Sequence, residues 1–357
     1  MLNYDGDKIQ FQNGFSELNI ENLEDFNSFI RNNRNLKGYI FRGQSRESHK
    51  LKPSIFRNLK LASQRQMKEF LDKSLNRFKM HLRGRIELNE SELNNDLEIW
   101  AIAQHFGMKT PLLDWTASPY VALFFTFLND RCINIKIKKS DLKKEFEKQY
   151  AKINEPRTLY CLNAKRINDY FYITITNNFI ENYDKNLEDI YEGDEEKKLV
   201  YGKDIANLLT SNKIPKWYVN KDRIADLSKC YDDTCAYFLR IYSSQSGKNP
   251  RLVNQRGLFT YIDPSSGPID IFRWVKMAFG DGKSDGFYGF LPLISDEEIL
   301  LKINIKNELR DEINEFLEAM NINYLSLFPD LVGSSFYCNR KIENDIENLN
   351  FESHKEL

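Results

Sequence analysis

The chain has 357 residues, with 51 Lys plus Arg against 52 Asp plus Glu and a formal net charge of −1. That balance supplies no global positive field to draw in nucleic acid. A content of 41% hydrophobic and 29% charged residues excludes wholesale disorder. Single cores stop growing near ~250–300 residues, so the length implies two domains or one elaborated domain. The longest apolar run, Tyr120–Leu128, is interrupted by Thr126 and falls short of the ~20 residues of a spanning helix. The first residues, MLNYDGDKIQ, lack the basic and apolar regions of a signal peptide. Five scattered cysteines, Cys132, Cys161, Cys230, Cys235 and Cys338, fit reduced thiols better than a disulfide framework. A cytoplasmic protein that does not cross a membrane is expected. With four histidines in the chain and no matching cluster for the Cys230/Cys235 pair, no structural metal site is expected.

In chain order, residues 1–20 read as a weak strand and turn, followed by a helix from about Asn22 to Asn33. Gly38–Arg42 is apolar and β-prone, a short strand ending at a sharp turn on Gly43. Ala62–Arg83 repeats Met67, Phe70, Leu71, Leu75, Phe78 and Leu82 at helical steps, with Arg65, Lys68, Lys73, Arg77 and Lys79 on its other face. Leu93–Phe106 is a second helix stopped by Gly107. Thr110–Thr116 is extended. Ser118-Pro119 opens a buried helix to Leu128, with Ser as N-cap and Pro where no donor is needed. Beyond Asn129 the pattern turns to strands at 133–137, 158–162, 258–262 and 299–305. Helices are expected at 141–150, within 225–243 and at 306–320, with an acidic loop at 181–204. Early helices and late strands indicate an α+β fold. Residues 1–37 read as an N-terminal extension, 38–334 as the main domain with an insertion at about 140–250, and 335–357 as a polar tail.

Charge is uneven along the chain. Residues 31–86 hold sixteen Lys/Arg and three acids, which gives +13 and leaves −14 for the rest. Such a segment can attract a phosphate-bearing ligand, or its cations can pair with acids elsewhere in the fold.

Three clusters can carry chemistry. In the first, Phe41-Arg42-Gly43-Gln44 precedes Leu51-Lys52-Pro53-Ser54-Ile55-Phe56-Arg57. Arg42 at a strand end can grip a phosphate in a bidentate way, Gly43 can let a ligand approach the backbone, and Arg57 adds charge. The plainer alternative pairs Arg42 with a structural carboxylate. The second cluster is Gln104-His105-Phe106-Gly107 with Thr110 and Leu112-Leu113-Asp114-Trp115-Thr116. His105 suits general acid/base work, and Asp114 suits a catalytic carboxylate or a partner that orients His105. Equally, Asp114 can cap a turn and His105 can be a satisfied core residue. The third is Arg251-Leu252-Val253-Asn254-Gln255-Arg256-Gly257, where Gln255 can bond a ligand or a neighbouring backbone group. Walker A, Gly-x-Gly-x-x-Gly, Gly-x-Ser-x-Gly and His-Glu-x-x-His motifs are absent.

These clusters resemble the FRG domain family, through FRGQ at 41–44, LKPSIFR at 51–57, AQHFGMKTPLLDWTASPYVALFF at 103–125, R-x3-Q-x-G-x-F at 251–259 and LFPDLVG at 327–333. Pro111 departs from the Arg that the family often carries there. Members often occur in bacterial and phage-conflict settings. A weaker resemblance links Arg42, the 110–116 segment and the Gln255 region to the ADP-ribosyltransferase fold, although Gln255 stands where that fold offers a Glu. The resemblance implies NAD as substrate. Arg42, Gly43, Gln44, Arg57, Gln104, Thr110, Trp115 and Thr116 would be its binding residues, with Trp115 or Phe106 stacking on a ring. Arg42, His105, Asp114 and Gln255 would form the catalytic set, with Glu98, Glu297 and Glu298 as alternative carboxylates. It further implies a macromolecular acceptor, protein, RNA or DNA, with Arg65, Lys68, Arg77 and Lys79 as phosphate contacts, and an antitoxin or phage-protein partner. Two alternatives are a non-catalytic nucleic-acid or nucleotide sensor and a nuclease using His105.

Overall fold

The computed structural model describes residues 15–33, 36, 38–59, 63–82, 84–128, 155–167, 239–244, 249–262, 270–272, 274–275 and 299–355. The expected strand at 133–137, the helix at 141–150, the acidic stretch 181–204 and most of 225–243 lie outside the described residues.

Seven strands form one mixed sheet: β1 (Phe15–Ile20), β2 (Tyr39–Gln44), β3 (Leu112–Thr116), β4 (Arg157–Asn163), β5 (Leu239–Tyr242), β6 (Gly257–Ile262) and β7 (Leu300–Ile305). Their spatial order is β1-β7-β4-β2-β3-β6-β5. β1 and β7 run parallel, and every other neighbouring pair is antiparallel. The helices are α1 (Leu23–Asn32), α2 (Gln64–Leu82), α3 (Glu90–Leu93), α4 (Asp96–His105), α5 (Pro119–Phe127), α6 (Pro250–Asn254), α7 (Arg310–Ala319), α8 (Tyr324–Leu327) and α9 (Leu331–Lys355). The architecture is α+β, as expected.

Local chemistry sets these boundaries. Asn22 caps α1 by accepting from the Asp25 N–H at 2.9 Å, and Glu24 and Asp25 place negative charge at its positive end. Ser118 caps α5 by accepting from the Val121 N–H, and Pro119 takes the first helical position. Asn95 caps α4, so the helix expected at 93–106 starts at Asp96, and the short α3 precedes it. Residues 239–242, expected to be helical, are instead strand β5, paired with β6. Residues 335–355, expected to be a polar tail, lie in helix α9. Asp330 starts that helix by accepting from the Gly333 N–H at 3.0 Å.

Apolar side chains cover both faces of the sheet. On one face Leu18, Ile20, Phe41, Leu159, Leu301, Ile303 and Ile305 pack against α1, α5 and α7. On the other, Ile40, Leu113, Trp115, Tyr160 and Leu162 pack with Ile271, Trp274 and Val275. A third cluster joins α2 and α4 to Leu112 and Phe259 through Met67, Leu71, Leu75 and Ile99. β4 is buried along its whole length because it lies between two paired strands with both faces covered.

Gly43 lies inside β2 rather than ending it. A Cβ there would collide with the Ala122 carbonyl oxygen and lie 2.5 Å from the Thr126 nitrogen. The glycine therefore admits a helix, where the sequence suggested that it admits a ligand. Gly43→Ala should lower stability by ~1–3 kcal/mol, the usual effect of overpacking. The expected result is a lower midpoint in urea titration with an unchanged slope.

Candidate functional site

β2 stays paired with β4 from Tyr39–Asn163 to Gln44–Thr158. With β3 it shares only the Phe41–Thr116 position, while β3 pairs with β6 from Leu112–Tyr261 to Thr116–Gly257. Beyond Phe41 the two strands part, and a cleft of about 820 Å³ opens beside the gap. Arg42 reaches across this gap. Its Nη1 donates to the Asp114 carbonyl oxygen at 2.7 Å, in place of a ladder bond, and lies 3.7 Å from Asp114 Oδ2. The Arg42 side chain is 14% exposed and that of Asp114 61%.

The cleft gathers Arg42, Gly43, Gln44, Arg57, Gln104, His105, Asp114, Trp115, Thr116 and Gln255 from all three sequence clusters. Arg65, Lys68, Arg77 and Lys79 do not line it. Arg65 pairs with Glu69 at 2.8 Å within α2, and Lys79 of α2 pairs with Asp96 of α4 at 2.6 Å. Glu98 is buried elsewhere and accepts from the Tyr242 hydroxyl at 2.5 Å and the Ser244 hydroxyl at 2.6 Å. Glu297 and Glu298 lie outside the described residues. Asp114 is thus the carboxylate among the described residues that line the cleft.

A hydrogen-bonded chain orients Asp114. The Thr110 N–H donates to Ser54 Oγ at 3.1 Å, and Ile55 N–H donates to the Thr110 carbonyl at 3.3 Å. Thr110 Oγ1 donates to Gln104 Oε1, and Gln104 Nε2 donates to Asp114 Oδ1. Thr110 is fully buried, so it positions the site and has no surface to offer a ligand. Thr116 is similarly engaged: its hydroxyl donates to the Gln255 carbonyl at 2.7 Å and accepts from the Ser118 N–H. Trp115 is 3% exposed, and its indole N–H donates to Thr260 Oγ1 at 2.9 Å. Its ring packs in the core, where no ligand ring can stack on it. Phe41 and Phe259 at the cleft are buried as well, and the partly exposed aromatic residues that line it are Phe125 and Phe328.

Gln255 joins two motifs. Its Nε2 donates to the Leu327 carbonyl at 3.0 Å. Arg251 Nε donates to Asp330 Oδ2 at 2.6 Å, and its guanidinium lies 5.4 Å from the Phe328 ring centroid. The R-x3-Q and LFPD segments thus form one junction that holds Phe328 in the cleft wall. Sequence reasoning assigned no role to Ser48, His49, Lys50, Lys52, Arg251 or Phe328, all of which line the cleft. For Ser48, His49 and Lys50 the signal available was position, since residues 45–50 connect two recognised motifs.

The electrostatics favour an anion. Arg42, Lys50, Lys52, Arg57 and Arg251 line the cleft against the single carboxylate of Asp114. Burial lowers the Arg42 pKa most, Asp114 opposes this and Arg57 adds to it, yet a guanidinium remains charged at neutral pH. Arg42 Nε and Gln44 Oε1 are buried without a hydrogen-bond partner. Burial and the charge of Arg46 push the His49 pKa below its ordinary 6.5, and burial with Arg251 does the same to His105. Both imidazoles are neutral at pH 7.

The model of the FRG domain matches residues 37–134. The chain carries an FRG domain, and that match supplies Arg42, Gln104, Asp114 and the crossing of β2 by α5, whereas Arg251, Gln255 and Phe328 complete the cleft from outside it. No curated protein and no solved structure matches the chain.

The lowered imidazole pKa values fix the sign of a pH effect. As pH falls below about 6.5, the unfolded chain takes up protons before the folded His49 and His105 do. The stability these two groups contribute is complete above that pH and is lost on acidification toward their folded values. The urea midpoint should fall between about pH 7.5 and about pH 5.5, and His49→Gln with His105→Gln should reduce that fall.

Proposed function

We propose that the cleft binds NAD and transfers its ADP-ribose to a macromolecular acceptor. The observation that carries this reading is one carboxylate, Asp114, braced beside Arg42 in a cleft whose other charged lining residues are cations. The size suits one nucleotide-like ligand. The parting of β2 from β3, with an arginine at the gap, supports an ADP-ribosyltransferase-like reading of the sheet.

Arg42, Lys52 and Arg57 hold the pyrophosphate, and Phe328 offers an apolar wall to a ring. The bond between nicotinamide nitrogen and ribose C1′ breaks, and its electron pair leaves with nicotinamide. Positive charge develops on the ribose, and the Asp114 carboxylate stabilises it, as carboxylates do in glycoside hydrolysis. The acceptor's lone pair forms the new bond to C1′. His105, neutral at pH 7, takes the acceptor's proton.

Nicotinamide release from NAD tests the reading. Asp114→Asn should cut the rate by ~10²–10³ while retaining NAD binding, because it removes charge from the transition state. Arg42→Lys should weaken binding, because an ammonium cannot reproduce the guanidinium fork. A folded wild-type protein that releases no nicotinamide, with or without lysate acceptors, overturns the transfer. NAD binding without release assigns the cleft to a nucleotide sensor.

A further inference from the structure

Two side chains flank the mouth of the cleft without lining it. Phe106 follows α4 and is 70% exposed, with its ring edge-on to His105 at 4.8 Å between centroids. Gly107 then turns the chain at φ +85°, with nothing within 4 Å of the place a Cβ would take. A large aromatic ring therefore stands on an open turn next to a side chain that lines the cleft. Arg46 lies on the connection that leaves β2 and is close enough to His49 to lower its pKa.

The connection is cationic and its charges are largely uncompensated. Arg46, Lys50, Lys52 and Arg57 make no ion pair among the described residues. Glu155, which accepts from the Ser48 N–H at 2.5 Å and stays ionised, offsets one of them. On α2, Arg65 and Lys79 each hold a carboxylate, and the remaining cations Lys68, Lys73 and Arg77 do not line the cleft.

A dinucleotide inside the cleft needs neither Arg46 nor Phe106. A polymer that approaches the same cleft meets both. Phosphates can follow the cationic connection, and an unstacked base can lie on the exposed ring, which is how single-stranded nucleic acids are held without sequence readout. A duplex offers no free base face, and a protein acceptor leaves the cationic run unmatched unless it is acidic.

We infer that the acceptor is a single-stranded nucleic acid, with its phosphates on Arg46 and Lys50, next to the cations that hold the NAD pyrophosphate, and one base on Phe106. The acceptor role rests on the transfer reading above, but the binding surface does not. Binding of short labelled single-stranded RNA and DNA to the full chain is measured by fluorescence anisotropy at several salt concentrations. Affinity should fall with salt, and Arg46→Glu and Phe106→Ala should each weaken it by about tenfold. Lys68→Glu with Arg77→Glu on α2 should have a smaller effect. Nicotinamide release without acceptor should be unchanged in Arg46→Glu. Strand binding that depends on Arg46 and Phe106 without nicotinamide release sinks the transfer reading and supports the surface. No strand binding at low salt, or loss only in the α2 variant, overturns the inference. Label transferred from NAD solely to protein in a lysate also overturns it.

Discussion

The crossing of α5 over β2 at Gly43 is the constraint on which the cleft depends. Only Ala117 and Ser118 separate the end of β3 from the start of α5, and Ser118 caps the helix. The helix is apolar nearly all round and gains stability only by burial. It therefore lies against the sheet, and the Ala122–Thr126 turn presses on the one position of β2 that has no side chain. Phe41 and Thr116 pair at that point, and past it the strands separate. The glycine that ties α5 to the sheet thus adjoins the arginine that faces the gap. Their adjacency in sequence follows from the alternating directions of a strand.

A second constraint is polar. Arg42 is nearly buried, and a buried guanidinium without partners is costly. Its attachment to the Asp114 carbonyl and its nearness to the carboxylate meet part of that demand. The carboxylate is held by Gln104, Gln104 by Thr110, and Thr110 by Ser54. Five residues from separate segments fix one another, so their geometry exists before any ligand arrives. Such preorganisation is the condition under which a fixed charge stabilises a transition state. The Arg42 Nε and Gln44 Oε1 atoms, which have no partner, are the parts of this network that remain unused.

The α+β class, the helix at 64–82 and the Ser118-Pro119 start of α5 were legible from periodicity and capping chemistry. So was the grouping of the site, since Arg42, Gln104, Asp114 and Gln255 meet in one cleft. Individual roles were less legible. Thr110, Thr116 and Trp115 carry polar groups that satisfy other buried groups, and a sequence does not show which hydroxyl already has a partner. Gln255 was open between ligand and backbone, and its amide reaches the Leu327 carbonyl. The tail after 335 read as polar because its apolar residues are sparse, yet Asp330 and Gly333 start a helix there whose Ile342 and Ile346 remain exposed. A cap is a local signal that composition hides.

The charge reading changes most when placed in space. The +13 of residues 31–86 suggested a broad phosphate-binding face, with the long helix as its most basic element. Pairing removes part of that charge: Arg31 meets Glu24, Arg65 meets Glu69 and Lys79 meets Asp96. Exposed pairs of this kind add little stability, but they reduce the field that a distant anion feels. Of the cations left without carboxylates on the 46–57 connection, Lys50, Lys52 and Arg57 line the cleft, where low-dielectric walls focus their field. The formal net charge is only −1 because acids elsewhere in the chain offset these cations, and the cleft is cationic because Asp114 is the one carboxylate among its described lining residues.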